Sequence, residues 1–164
     1  RPALEHVGGE AVAKLVGRGA FRQAEGLADV AHPPRGDAVG QRPAALASLY
    51  HPDATLSDPF GQHQGLFAIQ RYFTHLLANV EQCRFTIDTP LCDGQRFAVT
   101  WTMHWSHPRI AGGETLALRG CSVVDLAGER VLHQRDYYDA GEMIYEHLPL
   151  LGWAVRGVKR RVRS

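Results

Sequence analysis

Hydrophobic positions change their spacing twice along the chain, and each change predicts a change of element. Leu46, Leu49 and Tyr50 follow i, i+3, i+4 after Pro43 and predict a short helix over PAALASLY. Ala54 to Ser57 reads as a short strand that runs into Asp58-Pro59. Leu66 to Val80 then carries Phe67, Ile69, Tyr72, Phe73, Leu76, Leu77 and Val80 at helical period, which predicts a second, longer helix. Beyond it the period falls to two. Arg84 to Thr89 alternates, and Phe97, Val99, Trp101, Met103 and Trp105 alternate against Ala98, Thr100, Thr102 and His104. A turn signal at Cys92-Asp93-Gly94 joins these two strands, HPRIAGGE breaks the pattern before a third strand over Thr115 to Asp125, and Leu126-Ala127-Gly128-Glu129 reads as the hairpin turn to a last strand over Val131 to Tyr138. Ala140 to Leu151 predicts a helix weakened at Pro149 and Gly152, and Trp153 to Val162 a further helical piece.

Residues 1–42 follow no such period. Seven glycines together with Pro33 and Pro34 argue against one long helix there, leaving short helices at Ala11 to Leu15 and Phe21 to Val30 and a loop after them. The expected organisation is therefore an irregular segment over 1–42 and one domain over 43–164. Helices followed by a run of hairpins predict an α+β fold, a strongly curved antiparallel sheet with helices packed on its concave side.

Composition narrows the classes of function. The 164 residues are 45% hydrophobic and 21% charged, with a formal net charge of +1, so no global field draws nucleic acid and no apolar run is long enough to span a membrane. Three widely spaced cysteines, Cys83, Cys92 and Cys121, fit neither a disulfide framework nor a zinc site. With no signal-peptide order at the N-terminus, they point to the cytoplasm. Nine histidines supply no H-x-x-x-H pair beside an acid, so no metal and no cofactor is expected. The basic end VRGVKRRVRS could rest on an anionic membrane or a nucleic acid backbone, but cations completing a helix dipole at a solvated end explain it without a partner.

LYHPDATLSDPFG (49–61), FAVTWTMHW (97–105) and HQRDYYDAGEMIYEHLPLLG (133–152) together resemble the nuclear transport factor 2-like superfamily, in its SnoaL-like and ketosteroid-isomerase-like branch. The resemblance covers roughly residues 43 to 164. It implies a cone in which a bent sheet wraps a hydrophobic pocket closed by helices, with activities from isomerisation and polyketide cyclisation to epoxide hydrolysis, and also non-catalytic binders. It also implies pairing of two copies through the outer face of the sheet, where Thr100, Thr102 and His104 would project.

Asp58 matches the general base of the ketosteroid-isomerase pattern. A carboxylate at a wall lined by Phe60, Trp101 and Trp105 would lose solvation and gain basicity. The two donors that hold the enolate oxygen in that pattern have no counterpart, since Cys121 stands where an aspartate is expected and no tyrosine precedes Tyr50. Steroid isomerisation is thereby disfavoured. Capping of the Asp58-Pro59 turn is the structural alternative for the same carboxylate.

On the last strand, period two sets His133, Arg135, Tyr137 and Asp139 on one face and Gln134, Asp136 and Tyr138 on the other. Asp139 resembles the acid/base that SnoaL-like cyclases carry just before the C-terminal helix, and equally an N-cap with Glu142 completing a capping box. Arg135-Asp136 resembles the arginine and acid of epoxide hydrolases with this fold, but adjacent strand residues diverge. The candidate catalytic groups are thus Asp58, Asp139 and His133. The candidate ligand-binding groups are Phe60, Phe73, Trp101, Met103, Trp105 and Tyr137, and the expected partner is a hydrophobic, oxygenated small molecule. The aromatic stripe serves equally as cavity lining or as ordinary core.

Overall fold

The computed structural model describes residues 45–163, with no side-chain description at Arg163, so the reading of 1–42 and the expected helix start at Pro43 lie outside the described residues. A short helix α1 (45–49) leads directly into β1 (Tyr50–Asp58), followed by β2 (Gly61–Gln64) and helix α2 (Leu66–Leu76). Strands β3 (Gln82–Ile87), β4 (Leu91–Asp93), β5 (Arg96–Ser106), β6 (Leu116–Ala127) and β7 (Arg130–Tyr138) follow. The chain ends in a four-residue helix α3 (Ala140–Met143), a 3-10 turn (Tyr145–His147) and helix α4 (Leu151–Arg163).

The strands form one curved seven-stranded sheet in the order β2-β1-β7-β6-β5-β3, with β4 also paired to β5. This is the expected α+β cone. All pairings are antiparallel except β1 with β7, which run parallel. That pairing joins strands from opposite ends of the domain, and no hairpin signal in the sequence announces it. Its register shifts between Tyr50 and Thr55. Pro52, which has no N–H to give a ladder, sits within the irregular stretch.

Several boundaries differ from the sequence pattern, and three of the differences have a local cause. Strand β1 begins at Tyr50, four residues before the expected Ala54, because the Tyr50 side chain is fully buried in the main core beside Leu46 and Leu56. Helix α2 stops at Leu76, and Val80 instead packs against the cluster around Cys83 and Trp105. The helix expected over Ala140 to Leu151 is broken. Leu148, placed before Pro149, takes the extended conformation that a following proline imposes, and Leu150 has a positive φ of 65°.

Alternation along β5 sorts its side chains cleanly. Phe97, Val99, Trp101, Met103 and Trp105 are buried on the inner face, while Thr100 and His104 are exposed on the outer one. Helix α2 packs Ile69, with Leu66, Tyr72 and Phe73, onto this inner side. On α4, Lys159 contacts both Asp139 and Glu146, and Arg156 donates to the Glu146 carbonyl, so part of the basic end is tied back to the domain. Among the described residues no helix is long and apolar enough to cross a membrane. None of the three cysteines is joined in a disulfide among the described residues.

Candidate active site

Curvature of the sheet leaves a cleft between its inner face and α2, with about 750 Å³ of empty space counting the mouth. Its walls are apolar and aromatic: Phe73 and Leu76 from α2, Phe85 and Ile87 from β3, Trp101 and Met103 from β5, with Met143 at the end of α3. Two carboxyl groups, Asp58 and Asp136, interrupt that surface.

Asp58 closes β1 at the tight turn to β2, where Asp58 pairs with Gly61 and Pro59 takes the position its fixed φ favours. Oδ1 accepts the backbone N–H groups of Phe60 (2.9 Å) and Gly61 (3.0 Å). Oδ2 accepts the hydroxyl of Tyr72, from α2, and that of Tyr138, from the end of β7, at 3.1 Å. One oxygen thus caps the turn, while the other is held by two phenols at the cleft wall. Burial raises both phenols well above their ordinary acidity range, and the Asp58 carboxylate raises them further, so both stay protonated donors. The Tyr72 ring also stacks on His63, with centroids 4.0 Å apart.

Asp136 lies at the centre of a second network. Its Oδ1 accepts the Ser122 hydroxyl (2.6 Å) and the Gln134 amide N–H (2.9 Å), while Oδ2 has only the longer Gln134 contact at 3.1 Å among the described residues. Gln134 is oriented in turn by the Tyr50 hydroxyl, which donates to its Oε1 at 2.7 Å, and Ser122 by the Trp101 indole N–H at 2.9 Å. Every donor in the network therefore points toward Asp136. Desolvation nevertheless dominates. It pushes the Asp136 carboxyl from 3.8 up to about 6, helped by the Asp58 charge and opposed by the Ser122 and Gln134 hydrogen bonds.

Trp101 reaches Ser122 because it lies across Gly120 of the neighbouring strand. A Cβ at residue 120 would fall 2.2 Å from the indole Cη2. A glycine inside a strand pattern signals such a close approach, and RGCS in β6 carries that signal in the sequence.

Of the residues expected at the site, Asp58, Phe73, Trp101 and Met103 line the cleft. Phe60 stands beside it, 40% exposed, with its ring 6.1 Å from that of Tyr138. Trp105 is buried in the second core cluster and does not reach the cleft wall. His133, Tyr137 and Asp139 are corrected in placement. All three are exposed on the other side of β7 or just past it, because the face that Trp101 shares takes the even-numbered positions of that strand. Asp139 caps α3, its Oδ1 accepting from Gly141 N (2.7 Å) and Glu142 N (3.2 Å) and its Oδ2 meeting Lys159 Nζ at 2.8 Å. The Lys159 ammonium, then the backbone donors, hold its carboxyl below the ordinary range. Sequence reasoning set Gln134, Asp136 and Tyr138 together on one face but did not choose that face. No group of three or more His, Cys, Asp or Glu side chains suited to a metal ion occurs among the described residues.

A curved α+β sheet that holds a largely apolar cleft against a helix defines the nuclear transport factor 2-like cone class. Within it, a family model described as the SnoaL-like domain matches residues 37–134, more than half of the chain, and the chain belongs to that family. Solved structures agree on the fold. A putative isomerase of the SnoaL-like family from Agrobacterium tumefaciens superposes with a TM-score of 0.60 at 17% identity, covering 75% of this chain and 99% of that one. A protein from Catenulispora acidiphila with a ketosteroid isomerase-like fold, in complex with trimethylamine, gives 0.57 at 20% identity over 64% and 80%. TerC co-crystallized with polyporic acid gives 0.60 at 16% identity over 77% and 92%. Relatives of this fold thus bind small molecules. No curated protein matches the chain.

Proposed function

We propose that the chain is a cofactor-free acid/base enzyme, an isomerase, cyclase or hydrolase, that acts on a hydrophobic small molecule in this cleft. Asp136 is the proton-transferring group and Asp58 the fixed anion beside it. The observation that carries the reading is the contrast between the two carboxyls. Both oxygens of Asp58 are filled by two donors each, whereas Asp136 keeps an oxygen with one long contact and has a carboxyl pushed to about 6. A group that is part ionised near neutral pH can take a proton from a substrate carbon or water and return it, which is worth about 10²- to 10⁴-fold in rate.

The test is turnover of a panel of hydrophobic ketones, enones and epoxides, followed by mass spectrometry, in the wild type and in Asp136→Asn. The expected result is a rate loss of about 10² or more in the variant and a wild-type pH profile with a limb near 6. Unchanged turnover in Asp136→Asn overturns the assignment. A non-catalytic binding module is the second reading, favoured by the saturated hydrogen bonding of Asp58, and it is supported if ligands bind and no product forms. Pairing of two copies through the outer face bearing Thr100, Thr102 and His104 belongs to the same proposal. A monomer at all concentrations in sedimentation would remove it.

A further inference from the structure

We infer that the cleft selects an organic cation, a hydrophobic molecule bearing an N-methylated tertiary or quaternary ammonium group. The inference rests on the pocket reading above and specifies the substrate class of that pocket. The first support is the charge inventory. The lining contains two carboxyl groups and no Lys, Arg or His, and neither Asp58 nor Asp136 takes part in an ion pair among the described residues. Four donors converge on the Asp58 carboxylate at the edge of an apolar cleft, and no cationic side chain lies opposite it among the described residues. In such surroundings a charge is weakly screened, which favours a cation and rejects an anion.

The second support is where the donors point. Tyr72 and Tyr138 donate to Asp58, Ser122 and Gln134 to Asp136, and Trp101 to Ser122. These side-chain donors are already engaged within the cleft, so a ligand carboxylate, sulfonate or phosphate would have to displace one of their partners. The same saturation discriminates among cations. A primary ammonium brings three N–H groups and, among the described carboxyls of the cleft, finds acceptor room only at Asp136 Oδ2, while a trimethylammonium needs no acceptor.

The third support is the ring arrangement. Phe85 and Trp101 are 5.4 Å apart at 66°, Trp101 and Tyr138 6.1 Å at 56°, and Tyr72 and Phe73 5.7 Å at 54°. Rings at these angles line a concave wall instead of stacking as a slab, and π-faces beside a carboxylate are the combination that holds a quaternary ammonium.

The experiment uses the full chain and four probes of nearly one shape: benzyltrimethylammonium, its neutral carbon isostere neopentylbenzene, the benzylsulfonate anion, and benzylammonium. Affinities are read by calorimetry and by quenching of tryptophan fluorescence at pH 7.5. The expected order is benzyltrimethylammonium at least about tenfold tighter than neopentylbenzene, benzylammonium weaker than the trimethylated cation, and no binding of the sulfonate. In Asp58→Asn, which keeps Oδ1 for the turn, the preference for the cation over the neutral isostere should fall, and in the double variant Asp58→Asn/Asp136→Asn it should collapse toward unity. Neopentylbenzene binding as tightly as the cation, or a sulfonate that binds comparably, overturns the inference while leaving the pocket reading intact. Failure of all four to bind overturns the pocket reading and the inference together. The wild-type series is decisive even if the variant does not fold.

Discussion

Replacing Asp136 by Asn removes a carboxyl whose ionised form the fold disfavours by burial, and the cost can be read as a pH dependence of stability. A carboxyl at about 6 in the folded protein, against 3.8 when exposed, corresponds to about 3 kcal/mol. The sign follows from proton uptake. Below about pH 3.8 the group is protonated in both states and contributes nothing unfavourable; between 3.8 and 6 the unfolded chain releases its proton while the native state keeps it, so stability falls as pH rises. Above about 6 the penalty is imposed in full. The Asn side chain is neutral throughout, and its Oδ1 can still accept from Ser122 and Gln134. Urea denaturation of both proteins from pH 4 to pH 8 isolates the effect, because every other titrating group cancels in the difference between them. The stability of the variant relative to wild type should climb by about 2 kcal/mol between pH 4 and pH 7.5, the part of the full effect that falls in this range, with most of the rise before about pH 6.5. A difference that stays flat across this range refutes the burial argument and, with it, the choice of Asp136 over Asp58 as the titrating group.

Two further substitutions probe the supports. Gly120→Ala places a Cβ 2.2 Å from the Trp101 indole, so thermal unfolding should show a loss of about 1–3 kcal/mol, and displacement of the ring from Ser122 should shift the tryptophan emission to longer wavelength. Asp58→Ala strips the cap from the turn after β1 and leaves the Tyr72 and Tyr138 hydroxyls without their acceptor, for an expected loss of about 2–4 kcal/mol, whereas Asp58→Asn should lose less than half as much because its Oδ1 keeps the Phe60 and Gly61 bonds; equal losses in urea titrations would show that the turn contributes nothing.

Local periodicity made most of the sheet legible. Strict alternation over Phe97 to Trp105 has one reading, and the buried inner face of β5 follows it residue by residue. The parallel contact of β1 with β7 was not legible, because nothing near either strand encodes a partner some eighty residues away; Tyr50 finds Gln134 only once the sheet has closed. The choice of face on β7 was not legible for a different reason. His133, Arg135 and Asp139 are polar, but so are Gln134 and Asp136, and a strand polar at both parities gives no hydrophobic vote on which side is inward. The vote lies one strand away. On β6, Leu118, Ser122 and Val124 share the inner face, and a serine set between two fully buried aliphatic residues marks where a polar partner must face it across the ladder, which is Asp136.

The same reasoning changes what the acid of DATLSDPFG means. A general base needs a lone pair directed at the proton it takes, and a turn cap needs one directed at the backbone; a carboxylate has enough oxygens for both. Asp58 would fulfil both roles if its second oxygen faced an empty cleft. It does not, since Tyr72 and Tyr138 converge on that oxygen from a helix and from the opposite end of the chain. To act as a base Asp58 would have to give up one of these charge-assisted bonds, at about 1.5–3 kcal/mol, before accepting any proton. Asp136 Oδ2 accepts a single contact, from the Gln134 amide at 3.1 Å, and so has acceptor capacity left without giving a bond up. On the proposed reading, the motif that draws attention in the sequence builds the wall of the cleft, and proton transfer falls to Asp136, two positions before the end of the last strand.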